Sequence, residues 1–353
     1  MRTFDLAQFH GKRARILAVK LSSFGDIIHS TAALRALRAA LPDAEIVVAV
    51  ERRWADVLRH NPHIDGIIES STQDRVSPRY LQEIRTSLAK RRFDAAIDFQ
   101  GNRRSAAWAY LSGAKWKLGR GGFRPGWQFS MQPDPSHHAV EVCASICHGI
   151  GVPVAKPDPE IFTNPADELG LDEVLRSAAM PLSGFLLLNP FSRWTSKSWP
   201  LEHLVPFVRG LAQCCEHPLV LTGGAEDRTR AQELLAEVPR GRVSSLAGRL
   251  PLAQALCLFR RARLMVSCDS GPMHAAAAFG VPVIALFGPT FPERTGPWGE
   301  QHRVLQALRP PVHSTYRTDI EGRYMLALKS EMVLSEVISH LSPESMAAQK
   351  GAV

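Results

Sequence analysis

The chain has 353 residues, 45% of them hydrophobic and 22% charged, the balance of a soluble globular protein with room for two domains. No apolar run reaches the roughly 20 residues of a membrane-spanning helix, and the opening MRTFDLAQFHGKRAR lacks the apolar core of a signal peptide, so a cytoplasmic protein is expected. The net charge of +8 lies wholly in residues 1–150, which hold 22 Lys+Arg against 14 Asp+Glu, whereas residues 151–353 hold 20 of each.

The basic residues cluster at Arg52–Arg53, at Lys90, Arg91 and Arg92, at Arg103–Arg104, and among Lys115, Lys117, Arg120 and Arg124. This asymmetry points to an anionic partner: a membrane surface, a phosphorylated lipid or a nucleic acid. A merely solvated basic surface is the bland alternative. The six cysteines contain no C-x-x-C pair, which leaves a zinc or redox motif unsupported and buried free thiols expected.

In chain order, ARILAVKL, EIVVAV, GIIES and DAAIDFQ read as strands. STAALRALRAALP, WADVLRHNP and YLQEIRTSLAKRRF read as helices between them. Short apolar strands alternating with amphipathic helices predict βαβ units and a parallel sheet. Pro62 and the glycine-rich 119–122 mark loops. The proline-rich VPVAKPDPEIFTNP closes the first domain.

The second half repeats the style. GFLLLNP, PLVLTGG, RVSSLAG, LMVSCDSG and VPVIALFGPT read as strands, and LEHLVPFVRGLAQ, AEDRTRAQELLAEV, LAQALCLFRRA and GPMHAAAAFG as helices. The last helix, SEMVLSEVISHLS, puts Met332, Val333, Val337, Ile338 and Leu341 on one face. The expected domains are residues 1–160 and 181–330, with a linker at 161–180 and a C-terminal helix and tail at 331–353. The fold class is α/β: two doubly wound units whose strand C-terminal edges surround a cleft, where ligands bind in such sheets.

Four loops after strands carry polar chemistry. In Lys20–Asp26, Ser22 or Ser23 can cap a helix and Gly25 permits a tight turn. Asp26 falls in the first helical turn, where the dipole favours a carboxylate, and reads either as a cap or as a general base. In NPFSRWTSKSWP, Ser192, Thr195, Ser196 and Lys197 offer hydroxyls and a point charge to a phosphate. In TGGAEDRTR, glycines allow close approach, and Glu226 or Asp227 could accept from a ribose. In CDSGPMHAAAAFG, Asp269, Ser270 and Gly271 lead into a helix whose amides make an anion site, with His274 in its first turn. No GxGxxG follows the first strand, and neither a P-loop nor a G-x-S-x-G elbow occurs. Metal spacing is absent, so the phosphate charge falls to Lys197, amides and hydroxyls.

Together, VKLSSFGDIIHSTAAL, FDAAIDFQGNRRSA, HHAVE, NPFSRWTSKSWP, LTGGAEDR and CDSGPMHAAAAFGVPVIALFGPT resemble the ADP-heptose:lipopolysaccharide heptosyltransferases of glycosyltransferase family 9. The likeness runs from about Arg15 to about Leu341 and lies nearest the heptosyltransferase I branch, through KLSSFGDIIH and HHAVE. It implies a GT-B fold of two Rossmann-like domains around an interdomain cleft, an ADP-heptose donor and a phosphorylated Kdo–lipid A acceptor. It further implies a cytoplasmic enzyme peripheral on the inner face of the cytoplasmic membrane, acting by inversion with no metal or cofactor. By the same resemblance Asp26 is the catalytic base and Lys197 the pyrophosphate lysine. Asp227 or Glu226 is the ribose acid, and Asp269, Ser270 and Gly271, beside His274, flank the diphosphate. Ser22, Ser23, Gly25, Arg103, Arg104, Arg120 and Arg124 are acceptor-site candidates. Phe291 stands where the family often has an aspartate. Three other readings remain: a family-9 transferase using another nucleotide-sugar or core acceptor, a nucleotide-sugar 2-epimerase, and a nucleic-acid binder, which the lack of aromatics among the arginine clusters disfavours.

Overall fold

The computed structural model describes residues 6–9, 11, 13–71, 75–122, 124–134, 136–239, 241–312, 316, 317, 319 and 321–342. The expected tail beyond Ser342 lies outside them. The chain divides into two compact units, Met1–Asn164 and Pro165–Val353.

The first unit holds β1 (Arg15–Val19), β2 (Glu45–Glu51), β3 (Gly66–Ser70), β4 (Ala95–Asp98), β5 (Trp116–Arg120) and β6 (Phe129–Met131). They form one six-stranded sheet in the order β3-β2-β1-β4-β5-β6, parallel throughout. Its main helices are α1 (Phe24–Ala40), α2 (Pro78–Leu88), α3 (Arg103–Leu111) and α4 (Ala139–Gly149). Ile16 to Val19 are all buried, as a strand covered on both faces requires. Ser77 caps α2 by accepting from the Tyr80 amide at 3.2 Å, and Pro78 takes the position where its missing N–H costs nothing. Leu17, Val19, Ile84 and Trp108 share the core, and Trp108 Nε1 donates to Tyr80 Oη at 2.9 Å. HHAVE proves to be a capping box: the His138 amide donates to Glu141 Oε2 at 2.8 Å and the Val140 amide to His138 Nδ1 at 3.2 Å.

Two expectations change here. WADVLRHNP begins in a 3₁₀ helix (Arg52–Val57) and continues in turns, not in an α-helix. Gly119 and Arg120 belong to β5 rather than to a loop. Gly119 has φ +135°, and an added Cβ would fall 2.3 Å from Asp98 O, so the glycine lets β5 lie against β4.

The second unit holds β7 (Leu186–Asn189), β8 (Leu219–Leu221), β9 (Val243–Ser245), β10 (Leu264–Cys268), β11 (Val283–Leu286) and β12 (Arg303–Leu305). They form a second six-stranded parallel sheet, ordered β12-β11-β10-β7-β8-β9. Its helices include α5 (Pro165–Ser177), α6 (Leu201–Cys214), α7 (Arg228–Glu237), α8 (Leu252–Arg261) and α9 (Gly271–Ala278). The span 161–180, expected as a linker, contains α5, which Glu168 and Asp172 tie to Arg261 of α8. On the final helix, Ser330–Leu341, Val333 and Val337 are buried while Met332 and Ile338 are 43% and 45% exposed. The apolar stripe instead includes Leu334, packed against the second core. Cys143, Cys147, Cys257 and Cys268 are buried free thiols as expected, but Cys214 is exposed.

In both sheets the strand order reverses beside the first strand of the unit, between β1 and β4 and between β7 and β10. Crevices at such switch points are where ligands bind. Gly119→Ala is expected to destabilise the protein by about 2 kcal/mol or more, through positive φ and the Asp98 contact, read as a lower urea midpoint.

Candidate active site

At the end of β1, Lys20 is buried and Asp26 is half-exposed, their side chains 5% and 43% accessible with Nζ 3.7 Å from Oδ1. Lys20 Nζ also donates to Phe99 O at 3.4 Å, which ties the loop to the end of β4. Ser23 is the residue that caps α1. Its amide and its hydroxyl donate to Asp26 Oδ2 at 3.1 and 2.6 Å. Burial pushes the Asp26 carboxyl up, but Lys20, His29 and the Ser23 donors outweigh it and hold the group well below the usual carboxylate range. Asp26 therefore caps its helix and also presents an ionised oxygen. Ser22 donates through its amide to Gln100 Oε1 at 3.1 Å. Gly25 lies inside the first turn of α1 and is not a positive-φ turn glycine; the turn is closed by Ser23 and Asp26 instead.

The four arginines separate by partner. Arg104 Nη1 lies 2.8 Å from Glu51, whose side chain is 1% exposed. Arg124 Nη1 donates to Asp98 Oδ2 at 2.9 Å, at the switch point itself. Asp98 also accepts from the Gly101 and Gln100 amides and the Ser105 hydroxyl, each at 2.9 Å. Burial still pushes its carboxyl up despite these donors. Arg103 is exposed and Arg120 half-buried. The sequence reading could not separate these two from the paired ones, because Glu51 and Asp98 arrive from other strands.

In the second unit, Lys197 Nζ lies 2.6 Å from Asp269 Oδ2, with side chains 15% and 7% exposed. Thr290 Oγ1 donates to the same oxygen at 2.8 Å. Ser270 caps α9 and accepts from Asn189 Nδ2 at 2.9 Å, so β7 fixes the start of the helix whose first residue is Gly271. His274 is buried in that first turn. Of the loop hydroxyls, Ser196 Oγ donates to Tyr316 O at 2.6 Å, Ser192 Oγ accepts from the Trp194 amide at 3.4 Å, and Thr195 is exposed. Asp227 is buried: it accepts from the Gly224 amide at 2.9 Å and pairs with Arg230 at 2.5 Å. Glu226 beside it is exposed. Asn189, Thr290 and Arg230 escaped the sequence reading, since each acts across strands or a helical turn.

A lysine, a hydroxyl and helix amides gathered at one strand edge are groups that can hold an anion. An ionised carboxylate at the edge of the other sheet can accept a proton. With the GT-B pattern of two parallel six-stranded sheets, this is the equipment of a glycosyltransferase. The chain belongs to glycosyltransferase family 9: residues 81–325 match the family described as Glycosyltransferase family 9 (heptosyltransferase). It is similar to lipopolysaccharide heptosyltransferase 1 of Pseudomonas aeruginosa, at 28% identity over 95% of this chain and 96% of that one. It is also similar to lipopolysaccharide heptosyltransferase 2 of Salmonella typhimurium, at 26% identity over 94% and 100%. The solved E. coli heptosyltransferase WaaC with ADP-2-deoxy-2-fluoro heptose shares the fold at TM-score 0.68 and 22% identity, covering 92% and 99% of the two chains.

Asp227→Ala is expected to cost about 2 kcal/mol, through the lost cap and the stranded Arg230. Glu226→Ala is expected to stay within about 0.5 kcal/mol. Thermal unfolding of the two variants distinguishes the structural acid from the exposed one.

Proposed function

We propose that this enzyme transfers heptose from ADP-heptose to a phosphorylated Kdo–lipid A acceptor in lipopolysaccharide core biosynthesis, inverting the anomeric carbon without a metal. The observation that carries the reading is Lys197, held on Asp269 beside the N-terminus of α9, a site suited to a diphosphate. The similar lipopolysaccharide heptosyltransferases support the sugar and the pathway, and the solved WaaC with ADP-2-deoxy-2-fluoro heptose supports the donor.

In this mechanism the acceptor hydroxyl attacks the anomeric carbon from the face opposite the diphosphate. Its proton passes to Asp26, the new carbon–oxygen bond forms, and the bond to the diphosphate breaks with its electron pair leaving on ADP. Lys197 and the amides at Ser270 and Gly271 balance the developing charge, interactions worth roughly 3–4 kcal/mol each in comparable sites. Thr195 and Glu226 are both exposed; in this mechanism the Thr195 hydroxyl meets a phosphate and the Glu226 carboxylate the ribose. Ser270, held by Asn189, positions the helix that carries the amides, and His274 stands in its first turn beside the diphosphate. Arg103 and Arg120 meet the acceptor, and the +8 of residues 1–150 draws the enzyme to the anionic inner face of the cytoplasmic membrane. Among the described residues no helix is long and apolar enough to cross a membrane. Similarity to both heptosyltransferase 1 and heptosyltransferase 2 enzymes, at 28% and 26% identity, supports one second reading, a family-9 transferase acting on another core acceptor.

The deciding assay supplies ADP-heptose with either acceptor. ADP release that requires both donor and lipid is expected, and ADP release without any acceptor would sink the assignment. Asp26→Asn is expected to lower kcat about 100-fold or more with the fold intact; near-normal turnover would remove Asp26 from the base role.

The Lys20 charge generates a pH prediction. It lowers the Asp26 pKa, so the base stays ionised to low pH and activity falls only as pH drops through that depressed value. Lys20→Met removes the charge, and the acid limb of kcat/KM should rise by about one pH unit or more, toward the ordinary carboxylate value near 4. An unmoved limb would show that Lys20 does not tune Asp26.

A further inference from the structure

Glu51 ends β2 with its side chain 1% exposed. Its amide donates to Leu21 O at 3.0 Å, which places it at the same strand edge as Lys20 and Asp26. Two arginines meet this buried carboxylate. Arg104 Nη1 lies 2.8 Å from Oε1, while Arg53 sets Nη2 at 2.8 Å and Nε at 3.0 Å from Oε2. The Arg104 side chain is 12% exposed, and its Nε and Nη2 are buried without a hydrogen-bond partner. The Arg53 side chain is 41% exposed.

Stability explains this trio poorly. Buried ion pairs add little net stability over apolar packing, and the two unsatisfied Arg104 donors are a further cost. The charges make better sense read outward. Two arginines on one carboxylate leave the trio one net positive charge, and of the two guanidiniums the one open to solvent is that of Arg53, 41% exposed against 12% for Arg104. Two of the five N–H donors of Arg53 are used to hold it. Its guanidinium also lies 4.9 Å over the Trp54 ring. Trp54 stacks on Phe24, with centroids 5.5 Å apart and planes 7° from parallel, and Phe24 opens α1 two residues before Asp26. A cation has thus been fixed in place beside the loop that carries the base.

We propose that Arg53 binds an anionic group of the acceptor, a phosphate or a carboxylate, and that Glu51 and Arg104 are positioning residues for it. The planar guanidinium matches either oxyanion. Holding it beforehand reduces the side-chain freedom lost on binding. The proposal rests on the acceptor reading given above.

The test is steady-state kinetics with O-deacylated Kdo–lipid A in three forms: intact, stripped of its phosphates, and with the Kdo carboxylate esterified. Arg53→Met keeps an apolar stem over Trp54 and leaves Glu51 paired with Arg104. Its acceptor KM should rise about tenfold or more, with kcat and donor KM within about twofold of wild type. Arg53→Lys should recover part of the loss. The difference between wild type and Arg53→Met should vanish with whichever acceptor lacks the contacted group, which identifies phosphate or carboxylate as the source. An unchanged acceptor KM, or an equal rise with all three forms, overturns the assignment. The double variant Glu51→Gln/Arg104→Met keeps the net charge but cuts the tether; an acceptor KM raised about threefold or more is expected, and an unchanged value removes the positioning roles. Wild-type enzyme that transfers to none of the three forms would refute the acceptor reading itself, and this assignment with it.

Discussion

A charge held at the end of a buried parallel strand needs a partner, because the interior solvates it poorly. Both sheets meet this demand at their C-terminal edges. Lys20 meets Asp26, Glu51 meets Arg104 and Arg53, and Asp98 meets Arg124 in the first unit. Lys197 meets Asp269 and Asp227 meets Arg230 in the second. These pairs fix the loops on which ligands are met. They also sort the ionisable residues into those consumed by the protein and those left facing outward.

The sorting has chemical consequences. Asp227 is consumed by Arg230 and by the turn it caps, whereas Glu226 beside it stays exposed. Arg104 and Arg124 are consumed by buried carboxylates, while Arg53, Arg103 and Arg120 keep exposure. Lys197 is pre-set by Asp269, whose second hydrogen bond from Thr290 holds the carboxylate in turn. In the proposed mechanism, a flexible lysine constrained in this way meets a phosphate without a search through rotamers.

Asp26 shows how one residue can satisfy two requirements that pull against each other. Capping α1 and facing Lys20 keep it ionised, but the same contacts make it a weaker base. In the proposed mechanism it accepts its proton as the attacking hydroxyl becomes acidic, so a persistently ionised acceptor matters more than high basicity. The half-exposed position of Asp26 leaves it open to a substrate.

Much of the architecture was legible in the sequence. Apolar runs such as Ile16–Val19 and Leu186–Leu188 can only be strands covered on both faces, and the helices between them force parallel order. Lys197, Asp26 and the Asp269–Gly271 turn were readable because each stands beside its own strand, within a few residues of chain. Two short strands were not: β6 and β12 span three residues each and went unread, though the equally short β8 and β9 were legible. By itself the sequence determined most of the strands, the loops at their ends and the basic character of the first half. Only the tertiary structure decided which of those charges remain available, since the carboxylates that neutralise Arg104 and Arg124 come from β2 and β4, strands distant in sequence or on the far side of a turn, and a pairing across strands leaves no mark on local pattern.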